Sequence, residues 1–71
     1  MTYEPTVHVL LAAAEREAAE RSRRAGEDCL VFREDPDDGA APIYHVCAYG
    51  EGAPRRGILI STFRDGEELT L

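Results

Sequence analysis

Apolar residues change their spacing at Gly26, and that switch limits what the chain can become more than any other feature. Before it, Tyr3, Val7, Leu10, Leu11, Ala14, Ala18 and Ala25 recur three and four residues apart, the period of one helical face. After it, apolar residues come in short blocks at 29–32, 43–49 and 58–63, separated by stretches rich in Gly, Pro and Asp. The pattern predicts an α+β fold: a single N-terminal helix over residues 1–26, packed on one face of an antiparallel three- to four-stranded sheet. The element order is αβββ(β), with residues 27–71 forming a β-meander with acidic turns.

Local signals agree with this division. Pro5 suits a first helical turn, and Glu4 beside it favours the positive end of the helix dipole. Glu17–Arg21 and Glu20–Arg24 are i,i+4 pairs in the favourable order, and Gly26 is a C-terminal stop. Asp65-Gly66 is the pair that a two-residue type I′ hairpin prefers. With that turn at the tip, Arg64 faces Glu67, Thr62 faces Leu69 and Ile60 faces Leu71. Residues 35–42 read as a loop, and residues 50–56 as a hairpin loop with a small basic tip.

Strict alternation then puts Ile58, Ile60 and Thr62 on one face and Leu59, Ser61 and Phe63 on the other. Neither face is cleanly polar. One helix covers only one face of such a sheet, so the second face is expected to dock on something.

The 71 residues make one domain with no room for a second core. Two cysteines allow at most one internal crosslink, and the run 9–14 is too short for a signal-peptide core or a membrane span. A cytoplasmic location with reduced thiols is the expectation. The net charge of −6 belongs wholly to residues 27–71, where ten acids face four arginines. The acids gather at two turns: Glu34, Asp35, Asp37 and Asp38 in one, Asp65, Glu67 and Glu68 in the other. Such clusters repel nucleic acid and anionic membrane and attract basic protein surfaces.

Catalytic and metal chemistry find little support. His45 and Cys47 point to one face of a strand, and Cys29 lies on the neighbouring strand, from which it could approach them. The set lacks the ligand spacing of a structural zinc site and any device for lowering a thiol pKa. His8 falls beside the helical stripe as a boundary residue with a solvated ring. The glycines and arginines of 50–57 have no strand-to-helix context for holding phosphate. No catalytic residue, metal or cofactor is assigned, and the chain is expected not to be an enzyme.

Two functional classes remain. In the first, a non-enzymatic inhibitor or modulator binds a larger protein with a basic surface, without touching nucleic acid or membrane directly. Glu34, Asp35, Asp37, Asp38, Asp65, Glu67 and Glu68 carry the contact, in the sharpest form as a nucleic-acid mimic. In size, charge and lack of a catalytic centre the chain resembles phage-encoded inhibitors of bacterial defence, anti-CRISPR proteins among them. In the second class, an accessory or regulatory subunit forms a homodimer through its sheet face, using Leu59 and Phe63. A small thiol or metal protein built on His45, Cys47 and Cys29 is a third reading.

Overall fold

Thr6, Val7 and Val9 are β-branched and resist the helical rotamer restriction, so the chain enters as a strand rather than as a helix. A computed structural model describes residues 6–50 and 56–69. Its elements are β1 (Thr6–His8), α1 (Leu11–Ala25), β2 (Cys29–Glu34), β3 (Ile43–Ala48), β4 (Ile58–Arg64) and β5 (Glu67–Glu68). One helix packs on one antiparallel sheet, an α+β fold. The helix starts at Leu11 instead of near Pro5, and Val7 leaves the helical stripe for the sheet. Tyr3, Glu4 and Pro5 lie outside the described residues. At its other end the helix stops where expected: Gly26 sits at φ 67° and its N–H donates to the Ser22 carbonyl at 3.1 Å.

The strands are arranged β1-β3-β2-β4-β5, with every neighbouring pair antiparallel. This is not a meander. β1 and β2 run parallel on either side of β3, joined by α1 as a split β-α-β unit. β3 and β4 likewise run parallel on either side of β2, so the segment between them is a crossover and not a hairpin loop. Residues 51–55 of that segment, Arg55 included, lie outside the described residues.

Two alanines set how closely the helix approaches the sheet. Ala14 and Ala18, one turn apart and fully buried, present only methyl groups to Val31, Val46, Cys29 and Phe63. The same stripe continues into buried Arg21 and Ser22, so the helix buries polar groups where it passes over the end of the sheet. Cys29, Val31, Val46 and Ala48 alternate inward from the two central strands, as a half-covered sheet requires.

β4 departs from strict alternation. Val31 pairs with Ser61, but the next residue, Phe32, pairs with Leu59, so Ile60 is the extra residue of a bulge. The bulge moves Leu59 to the face opposite Phe63. Phe63 points into the helix-covered core and is 6% exposed, whereas Leu59 lies on the helix-free face and is 51% exposed. The expectation that both residues share an open face is therefore corrected. Phe63 is a core residue, unavailable to a partner.

The hairpin tip follows its turn chemistry. Asp65 and Gly66 both take positive φ, 53° and 86°, and the expected Arg64–Glu67 pairing is present. The Leu69 N–H donates to the Thr62 carbonyl at 2.8 Å, which extends the same register. Leu71, the expected partner of Ile60, lies outside the described residues.

Candidate protein-binding surface

The two acidic clusters occupy opposite ends of β2. Its Glu34 end leads into the loop at 35–42, and its Cys29 end lies beside the β4–β5 turn. Five residue rises separate them, about 17 Å. They form two surfaces rather than one.

The loop cluster is held by other side chains of the chain itself. Glu34 Oε1 lies 2.8 Å from His45 Nε2, and Arg33 donates to Asp35 at 3.0 Å. Arg56 grips Asp37 with both guanidinium arms, one at 2.6 Å. That pairing holds the Asp37 carboxyl below its ordinary range and raises the Arg56 guanidinium. Asp38 accepts the Ala40 N–H at 3.0 Å, closing a local turn. This cluster is an arrangement of satisfied pairs.

The hairpin cluster differs. Asp65, Glu67 and Glu68 are exposed, and none forms a hydrogen bond or short ion pair with another described side chain. Arg64, their neighbour, is committed elsewhere: it donates to both carboxylate oxygens of Asp28, at 2.8 and 2.9 Å. The Arg64 contact holds Asp28 below the usual carboxylate range and raises Arg64 in turn. The Arg64 charge also acts on Asp65, and the Arg23 guanidinium lies against the turn, since a Cβ added at Gly66 would be 2.7 Å from its Nη2.

An apolar depression adjoins this tip. Leu59, Ile60, Ser61, Thr62 and Leu69 line a shallow hollow of about 290 Å³. Val7 is also exposed on the helix-free face, while Leu30 and Phe32 on the same face are half-buried. The mixed character expected of this face is present, and its apolar part is concentrated where β4 approaches β5.

The predicted chemistry of His45, Cys47 and Cys29 does not assemble. Leu30 pairs with Cys47 and Cys29 with Ala48, so the two thiols lie on opposite faces of the sheet, both buried. His45 and Cys47 do share a face, but His45 is engaged by Glu34. Among the described residues no three His, Cys, Asp or Glu side chains converge in a way that would hold a metal ion.

One cluster was not anticipated. Glu17, on α1, receives the Thr6 hydroxyl, lies 2.6 Å from His8 Nε2 and 3.5 Å from Arg21 Nη1. Arg21 also donates to the Val46 carbonyl at 3.5 Å. Burial pushes Glu17 up, but the bonds from Thr6 and His8 and the charges of His8 and Arg21 outweigh it, leaving its pKa lowered. His8 is thus a half-buried strand residue bound to the helix, not a solvated boundary residue. Thr6 and His8 at i,i+2 were the available signal, because in a strand both face the helix.

No helix among the described residues is long and apolar enough to cross a membrane. No protein-family model, curated protein or solved structure matches the chain.

Proposed function

We propose that this chain is a small non-enzymatic interaction module that binds a larger protein with a basic surface and modulates or inhibits it. The contact is made by the tip of the β4–β5 hairpin, with Asp65, Glu67 and Glu68 meeting the partner's cations. The Leu69 end of the apolar hollow supplies a dry contact beside them. One observation carries the reading: these three acids have no cationic partner within hydrogen-bond reach among the described residues, whereas Asp35 and Asp37 each pair with an arginine and Glu34 is hydrogen-bonded to His45. Charges already paired gain little from a second cation, while unpaired ones steer and hold a basic surface. The buried thiols and the glutamate held by each histidine support a non-enzymatic role.

The inhibitor form of this reading, in which the tip enters a partner's nucleic-acid groove, rests on the same three acids. Affinity capture from cells supplies the partner, and calorimetry with the purified pair tests the contact. Reversing Asp65, Glu67 and Glu68 to lysine lowers affinity by more than about tenfold, the scale of one lost charge-assisted contact, and reversing Asp37 and Asp38 changes it much less. Equal effects from the two sets, or none from the first, would remove the tip from the interface. Competition by a DNA or RNA oligonucleotide separates groove occupancy from binding elsewhere on the partner.

A further inference from the structure

Asp-Gly occurs twice in the chain, at 38–39 and at 65–66, and the fold holds the two pairs differently. The dipeptide is chemically labile, because glycine has no side chain to shield its nitrogen from the preceding carboxyl. In the reaction the glycine nitrogen attacks the aspartate Cγ. A C–N bond forms, and the amide proton leaves with the carboxyl hydroxyl as water. The five-membered succinimide so formed then takes up water. Opening at Cγ restores aspartate, whereas opening at the main-chain carbonyl leaves isoaspartate, with the chain running through the side chain. Atoms balance with water alone, nothing is oxidised or reduced, and the mass is unchanged.

Two features oppose ring closure at 65–66. The type I′ backbone sets the Asp65 Cβ nearly trans to the Gly66 nitrogen, so the carboxyl starts on the wrong side of the peptide. Turning that peptide into place pulls the Gly66 N–H away from Ser22 Oγ, its acceptor at 2.9 Å on a fully buried residue. The Arg23 guanidinium against Gly66 leaves the turn little room to move. At 38–39 the arrangement is the opposite. The Ala40 N–H donates to Asp38 Oδ1 at 3.0 Å, which folds the carboxyl back over the Gly39 peptide. Residues 37–40 are exposed, and a Cβ added at Gly39 would meet no described atom within 4 Å.

We propose that Asp38-Gly39 is a self-modification site, isomerising to isoaspartate in the folded protein, and that Ser22 withholds Asp65-Gly66 from the same reaction. Ageing of the folded chain then alters the loop whose acids are already satisfied and spares the hairpin tip. The inference stands whether or not the tip binds a partner, and its test uses none.

The whole chain is incubated at neutral pH and cleaved at arginine. Peptides 34–55 and 65–71 are then assayed for isoaspartate by enzymatic carboxyl methylation and by fragmentation mass spectrometry. In native wild type, formation at 38 is expected to exceed that at 65 by more than about fivefold, the factor one buried amide's hydrogen bond places on local opening. In urea the two rates converge, because the two pairs share one chemistry. Ser22→Ala, with its native dichroism retained, raises the rate at 65 by more than about fivefold and leaves that at 38 unchanged. Wild type in low urea gives a second measure, in which formation at 65 rises in step with amide exchange at Gly66. Equal rates at the two sites in native protein overturn the inference. So does a folded Ser22→Ala variant that leaves 65 unchanged or accelerates both sites alike. Native protein that forms no isoaspartate at 38 while the urea-unfolded chain does so overturns it as well.

Discussion

Ser22 Oγ accepts a hydrogen bond from the Gly66 N–H at 2.9 Å, tying the last turns of α1 to the tip of the β4–β5 hairpin across 44 residues of sequence. The same hydroxyl donates to the Ala19 carbonyl at 2.9 Å, so its proton is already placed and the oxygen lone pair faces the turn. Ser22 is fully buried. The orientation of the acidic tip therefore depends on a helix residue with no charge and no role in binding.

Ser22→Ala is expected to lower stability by about 1–3 kcal/mol, the cost of leaving a partly buried amide without its acceptor. Urea denaturation measures the loss, and hydrogen exchange at Gly66 should accelerate by more than the global change accounts for. An unchanged midpoint would show that water replaces the serine at no cost.

Phe63→Ala and Leu59→Ala should separate sharply although the residues are four apart on one strand. Phe63 fills the core against Ala14 and Ala18, and its truncation costs about 3–5 kcal/mol. Leu59 is half-exposed, and its truncation stays within about 0.5 kcal/mol of the wild type. Chemical denaturation of both variants under conditions that keep the chain monomeric decides it. Similar losses would contradict the bulged register.

Acid should weaken the link between β1 and α1. The folded-state pKa of Glu17 lies below its ordinary value, so its contribution is present above about pH 4.3 and fades as pH falls through the folded pKa. Glu17→Gln removes that contribution at neutral pH. Thermal midpoints of the two proteins should differ at pH 7 and converge toward pH 3. A constant gap across that range would mean that the carboxylate charge adds nothing to the Thr6 and His8 contacts.

The thiols should react only when the sheet opens. Cys29 and Cys47 are each 1% exposed and lie on opposite faces. A chromogenic disulfide reagent is expected to modify native protein at a rate that follows unfolding, rising with urea, and oxidants should yield no internal disulfide. Fast reaction in the absence of denaturant would place one thiol at a surface.

Local chemistry was readable in the sequence wherever it acts over a few residues. The type I′ turn at Asp65-Gly66, the stop at Gly26 and the pairs Glu17–Arg21 and Glu20–Arg24 all follow from neighbours in the chain. Strand order was not readable, because the choice between a meander and two interleaved crossovers depends on which edges meet in space. β1 was hidden for a related reason. Thr6–His8 gains its strand state from the edge of β3 and from Glu17, both distant in sequence.

For the binding surface, composition located the acids correctly but not their state. Asp37 is matched by Arg56 across 19 residues, and Arg64 turns from the tip to Asp28 across 36. Those pairings decide which negative charges remain available, and no local pattern encodes them. The face assignment of Leu59 failed through the single extra residue at Ile60, since one bulge inverts everything on one side of it.

The interleaved strand order has a kinetic consequence. The central strand, β2, is flanked by β3 and β4, and β3 is in turn flanked by β1 and β2, so the sheet is closed by pairings between distant parts of the chain. Loop closure must precede the contacts that reward it, which slows folding relative to a run of successive hairpins. During synthesis α1 and the β2–β3 hairpin emerge before β4, and the inner face stays open until Phe63 arrives. Until then the nascent chain has a helix and a partial sheet but an incomplete core, and its commitment to the native state waits for β4.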